Sequence, residues 1–173
     1  MRELLLNFGS VGRLRVPRRR RHSGQSTVEL CAGLLVLVPL VLVLFDLAVI
    51  VIGVQVNDQT CRQAARSASS GDPATAQQRA EAIIARANQQ GSSMLSNFQL
   101  SQFTFNPGTV IADTNALRTS NGGYGGTVSG TVTVRTSVEI RPFVVPAVYS
   151  GGAPLVFVAE QTFPFTYLVP NES

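Results

Sequence analysis

Between Leu30 and Val54 every residue is apolar or small except Asp46. As an α-helix these 25 residues would measure about 37 Å, more than the roughly 30 Å of a bilayer's hydrocarbon core. A soluble domain rarely concentrates its apolar residues in one uninterrupted block, and what remains of this 173-residue chain is rich in Gly, Ser and Thr. The reading is a single membrane-crossing helix carrying one modest extramembrane module.

The charge is divided unevenly around that block. Residues 1–24 hold seven arginines and one acid, a net +6, whereas residues 25–173 hold seven arginines and nine acids, a net −2. The basic character therefore belongs to the N-terminal leader, above all to Arg18, Arg19, Arg20 and Arg21. A nucleic-acid binder needs a basic patch on its folded part, so the charge pattern predicts no nucleic-acid partner. Arginines beside an apolar run instead hold that end in the cytoplasm and send the other end across the membrane. A cleaved secretory signal fits poorly: its apolar region spans about 7 to 15 residues and ends in an Ala-x-Ala-like site, which Gly53-Val54-Gln55-Val56-Asn57 does not offer.

The junction of leader and apolar run reads Gly24-Gln25-Ser26-Thr27-Val28-Glu29. A glycine gives a protease close access to the backbone. A carboxylate at the mouth of a bilayer is costly unless a cation offsets it. Cleavage after Gly24 would make Gln25 an α-amino terminus, a cation able to pair with Glu29 of a neighbouring copy; the alternative is an interfacial glutamate with no special role. Asp46, 17 residues further on, lies about 25 Å along and roughly 100° around the same helix. It is either protonated in lipid, turned to a partner helix, or far enough outward to reach water. Pro39 would kink such a helix without ending it, since membrane helices re-satisfy the carbonyl a proline frees.

The pattern predicts an α+β fold: a long N-terminal transmembrane helix with a helical stem, a second amphipathic helix, and a small antiparallel β-sheet. Three regions follow: a basic cytoplasmic leader over 1–24, transmembrane helix and stem over 25–70, and an extracytoplasmic α+β module over 71–173. In the stem, Cys61, Ala64, Ala65 and Ala68 make a stripe of small residues, and Asp58 and Arg62 are spaced to pair. Gly71 stops the helix, Asp72 caps the next, and Pro73 suits a first turn. From Ala74 to Gln90, Ala76, Ala80, Ile83, Ile84 and Ala87 share one face, and Gly91 ends the helix. Phe98 and Leu100 alternate in one phase and Phe103 and Phe105 in the other, which predicts a bulge or two short strands. Thr131 to Ile140 alternates as a half-buried strand. Leu155 to Leu168 reads as another, placed at an edge or broken at Pro164, which has no amide to donate.

Little else suggests chemistry. The glycine-rich stretch Asn121 to Gly126 lacks the Gly-Lys-Ser/Thr and the strand-to-helix setting of a phosphate loop. On one helix Cys31 and Cys61 would stand about 45 Å apart, too far for a disulfide; Cys31 reads as a small apolar membrane residue and Cys61 as a packed helix residue, with no metal or cofactor implied. The only histidine, His22, lies in the leader. No catalytic residues are expected.

The junction resembles the processing site of type IV prepilins, and Gly24 to Ser70 resembles the TadE-like family of the tight-adherence (Flp) pilus system. The residues that carry the likeness are Gly24-x-Ser26-x-x-Glu29, Pro39, Asp46 and the stem Asn57-Asp58-Gln59-Thr60-Cys61-Arg62-Gln63-Ala64-Ala65-Arg66. A strand leading to an Arg-Pro-Phe turn, Thr131 to Phe143, adds to it. The resemblance implies a minor pseudopilin or assembly factor, itself not an enzyme, cut by a prepilin peptidase after Gly24. Its partners would be membrane lipid, other pilin or pseudopilin subunits, and the inner-membrane pilus platform. It would sit in the cytoplasmic membrane, or in a surface pilus, with the C-terminal module outside. The leader's length favours a larger pseudopilin over the compact filament subunit. The competing reading is an uncleaved signal-anchored envelope protein with a small binding module.

Overall fold

The computed structural model describes residues 23–119, 125–143, 151 and 153–170. The fold is α+β. Helix α1 (Ser23–Ser69) is followed by a 3₁₀ turn (Pro73–Thr75) and α2 (Ala76–Gln90). Strand β1 (Leu95–Asn106), helix α3 (Val110–Thr119), and strands β2 (Thr127–Ile140) and β3 (Leu155–Leu168) complete it. The chain divides between Val38 and Pro39 into two compact units. In the first, residues 26–38 of α1 are all exposed although all but Ser26, Thr27 and Glu29 are apolar or small. A Cβ added at Gly33 would meet nothing within 4 Å. Helix α1 is the one helix among the described residues long and apolar enough to cross a membrane. Pro39 lies inside it.

The second unit is built on the rest of α1. Three strands pair antiparallel in the order β1-β2-β3. The alternation of Thr131 to Ile140 suits the central strand: Val128, Val132, Val134, Thr136, Val138 and Ile140 are buried on one face. Strand β3 runs unbroken along one edge with Pro164 opposite Thr131. An edge tolerates proline because the missing amide faces no neighbouring strand.

The phase change in β1 appears as two register shifts, between Ser96 and Gln99 and between Leu100 and Gln102. At the first, Asn97 has φ of 57°. A bulge leaves backbone groups without a ladder partner, and Asn88 of α2 supplies the replacement. Its Nδ2 donates to the Phe98 carbonyl at 2.8 Å, and its Oδ1 accepts the Phe98 amide at 2.8 Å.

The stop signals after the stem are also met. Gly71 has φ of +82°, and the Asp72 carboxylate accepts the Ala74 amide at 2.9 Å. A helix end leaves carbonyls without partners. Arg79 of α2 donates to those of Ser67 at 2.9 Å and Ala68 at 3.3 Å, tying the end of α1 to α2.

One boundary differs from expectation, and one helix has no counterpart in the sequence pattern. The second helix begins at Ala76, because Pro73–Thr75 forms a separate 3₁₀ turn. Helix α3 was not foreseen. It buries Thr114, and packs buried Val110 with Val128, Phe165 and Val169. The glycine-rich loop over 121–126 lies mostly outside the described residues.

Candidate functional site

The processing and topology residues come first in the chain. Arg18, Arg19, Arg20 and Arg21 lie outside the described residues. The Gly24–Gln25 bond falls in the first turn of α1, and Glu29 is exposed on the same helix. From Leu30 to Phe45 the helix carries no charge, and its large side chains stand mostly outward.

Asp46 departs from its neighbours. Phe45 is 62% exposed and Leu47 51%, whereas Asp46 is fully buried. Its Oδ1 accepts the backbone amide of Phe143 at 2.7 Å. The segment after β2, with Pro142 buried, therefore covers this carboxylate. Of the three settings the sequence allows, the structure gives a fourth: an acid capped by the chain's own module.

Asp46 opens a seam along one face of α1. Gly53, Asn57, Cys61, Ala64 and Ala68 follow at helical spacing, all buried. At Gly53 the backbone lies against β2 so closely that an added Cβ would stand 2.3 Å from Ile140 Cδ1 and 2.6 Å from Leu95 Cδ2. Val49, Ile50 and Val56 flank it and pack on Ile84, Phe98, Val138 and Ile140. Lower down, the small side chains of Cys61, Ala64, Ala65 and Ala68 let Val132 and Val134 approach the helix.

The polar groups in this seam are all used. Asn57 donates to the Phe157 carbonyl at 3.3 Å and accepts from the Thr136 hydroxyl at 2.9 Å. The Cys61 thiol donates to the carbonyls of Val134 at 3.2 Å and Ala159 at 3.4 Å. Burial pushes this thiol's pKa up, and the nearby Asp58 charge adds to the effect. Cys61 is thus a packed residue with little nucleophilic character. Cys31 is exposed. Asp58 pairs with Arg62 at 2.7 Å and accepts from Gln161 at 2.8 Å.

Behind the seam, Asp72 joins the 3₁₀ turn to α3 through an ion pair with Arg118. Burial alone would raise its carboxyl pKa, but the Ala74 amide and the Arg118 guanidinium outweigh this and hold it below the usual range. Between the stem, α2 and the start of β1 lies a groove of about 580 Å³. Its floor is apolar at Val56 and Ile83, and its rim carries Gln59, Gln63, Arg86 and Gln90. Among the described residues, no three His, Cys, Asp or Glu side chains are grouped to hold a metal ion.

The structure brings Asp46 together with the Arg-Pro-Phe turn. Glu29 and Pro39 precede Asp46 on the same helix. Gly53 and Asn57 went unread as contact residues. The signal was available, since both continue the spacing of Cys61, Ala64 and Ala68 toward the N-terminus. No protein-family model matches the chain, and neither does any curated protein or solved structure.

Proposed function

We propose that this chain is a TadE-like minor pseudopilin or assembly factor of a tight-adherence pilus. It is anchored by α1 in the cytoplasmic membrane, with its N-terminus inside, and cut by a prepilin peptidase after Gly24. The role is structural. The observation that carries the reading is the two-part surface of α1. Residues 28–45 leave an apolar surface bare, while the same helix from Asp46 to Ala68 is sealed against the sheet on one face. A subunit of this kind stores its bare segment in lipid and packs it against other subunits' helices on assembly. Cys31, Ala32 and Gly33, small side chains on exposed helix, permit close helix approach. In an assembly, the amino group freed at Gln25 pairs with Glu29 of a neighbour.

Co-expression with a prepilin peptidase tests this directly. The wild-type chain loses residues 1–24, and Gly24→Leu retains them. Glu29→Ala leaves membrane insertion intact and weakens co-purification with pilus components. Unchanged co-purification would remove the pairing role.

The groove beside Arg86 favours a second reading, an uncleaved signal-anchored envelope protein whose module binds a ligand. An intact leader in the presence of an active peptidase would select it.

A further inference from the structure

We infer that the lipid-spanning part of α1 ends near Asp46 and Leu47, not at Val54 where the apolar run ends, and that the Arg141–Phe143 turn rests on the outer bilayer interface. The inference rests on the reading of α1 as a membrane span.

Three observations carry it. Gly53 lies against Ile140, whose chain neighbours Glu139 and Arg141 are charged and pair at 3.5 Å. Glu139 also accepts from Asn97 at 2.6 Å. A hydrocarbon core reaching Val54 would therefore engulf a charged pair and an amide on the module's end, and intramembrane charges are strongly disfavoured. The polar zone must start before Gly53.

At Asp46 the surface is of the opposite kind. Leu44, Phe45 and Leu47 are each more than half exposed, and Phe143, on the turn that caps Asp46, is 65% exposed. The carboxylate itself is sealed. Nothing charged thus faces outward from the helix at this level, although an aspartate sits there. The change from apolar to charged surface falls between Phe143 and the Glu139–Arg141 pair. Aromatic side chains favour this boundary, and an arginine beside them extends its guanidinium to the headgroups.

The length agrees. A span of about 20 residues crosses the hydrocarbon core, and counting back that many from Leu47 reaches Val28. The two carboxylates, Glu29 and Asp46, then mark the two edges of one short span. Val51 and Ile52, exposed beyond it, then lie in the interface. The partner of this surface is the lipid bilayer.

The chain contains no tryptophan, so Phe143→Trp in the full-length protein introduces a single indole. The variant is reconstituted in phosphatidylcholine–phosphatidylglycerol vesicles and titrated with lipid brominated high on its acyl chains. The control is Leu168→Trp, 72% exposed and paired with Thr127 at the opposite end of the sheet from Ile140. An interfacial turn gives at least about twofold quenching at position 143 and none at 168. Equal, water-like emission at both positions overturns the inference. Arg141→Trp, replacing a side chain 59% exposed, carries the same expectation should Phe143→Trp not fold. Flotation of the wild-type vesicles after alkaline washing separates the two failures. A chain that does not float overturns the span and the inference with it. A chain that floats with a water-exposed indole at position 143 overturns the inference alone.

Discussion

Asp46 and Phe143, 97 residues apart in sequence, are joined by a 2.7 Å hydrogen bond from the Phe143 amide to the Asp46 carboxylate. Asp46→Leu removes this acceptor from the part-buried Phe143 amide. A buried donor without a partner costs about 1–3 kcal/mol. Asp46→Asn keeps an oxygen in place for the amide. Thermal unfolding in detergent micelles should show Asp46→Leu clearly destabilised and Asp46→Asn much closer to wild type. Equal midpoints for Asp46→Leu and the wild type would mean that the cap contributes nothing.

Gly53 makes a second, steric prediction. An added methyl would fall 2.3 Å from Ile140 Cδ1, and Ile140 is fully buried. Overpacking of this kind costs about 1–3 kcal/mol. Gly53→Ala should lower the unfolding midpoint, and Gly53→Ala with Ile140→Val should recover part of the loss. Gly33→Ala, in open space, should not lower the midpoint.

Thiol labelling probes the seam at Cys61. In a Cys31→Ala background, Cys61 should react with maleimide at least about tenfold more slowly than a free cysteine, because only an accessible thiolate attacks. Burial raises its pKa, so the rate should still be climbing with pH above about 8.5, where an ordinary thiol begins to level off. Denaturant should restore normal labelling. Rapid labelling of the folded chain would contradict the packed seam.

Acid should loosen the link between the 3₁₀ turn and α3. The folded-state pKa of Asp72 is depressed, so its contribution is present in full above the unfolded value of about 3.9. That contribution fades as pH falls below this value through the folded one. Arg118→Ala removes the partner. Its unfolding midpoint should therefore fall less steeply than the wild type's between about pH 4 and pH 3. Parallel curves would show that the pair does not couple to folding.

Much of this architecture was legible because its signals are local. The small-residue stripe of the stem, the alternation of β2, the Gly71-Asp72-Pro73 stop, and the phase change in β1 each depend on neighbours within a turn or a strand. Asp46 was not legible in that way. Hydropathy averages around a helix, so an acid in an apolar run reads as sitting in lipid. The amide that caps it comes from Phe143, and only the register of β2 brings that residue alongside. Helix α3 escaped for a different reason. Its ten residues form few turns, and the Val110, Thr114 and Leu117 spacing is polar at its centre. That threonine is buried because its hydroxyl donates to the Val110 carbonyl at 2.8 Å.

The central claim concerns what becomes of the first 24 residues. The most direct test is intact mass with N-terminal sequencing of the protein recovered from membranes of its native host. A mature chain beginning at Gln25 is the predicted result. A chain that still carries Arg18 to Arg21 would contradict prepilin-type processing and leave α1 as an uncleaved anchor.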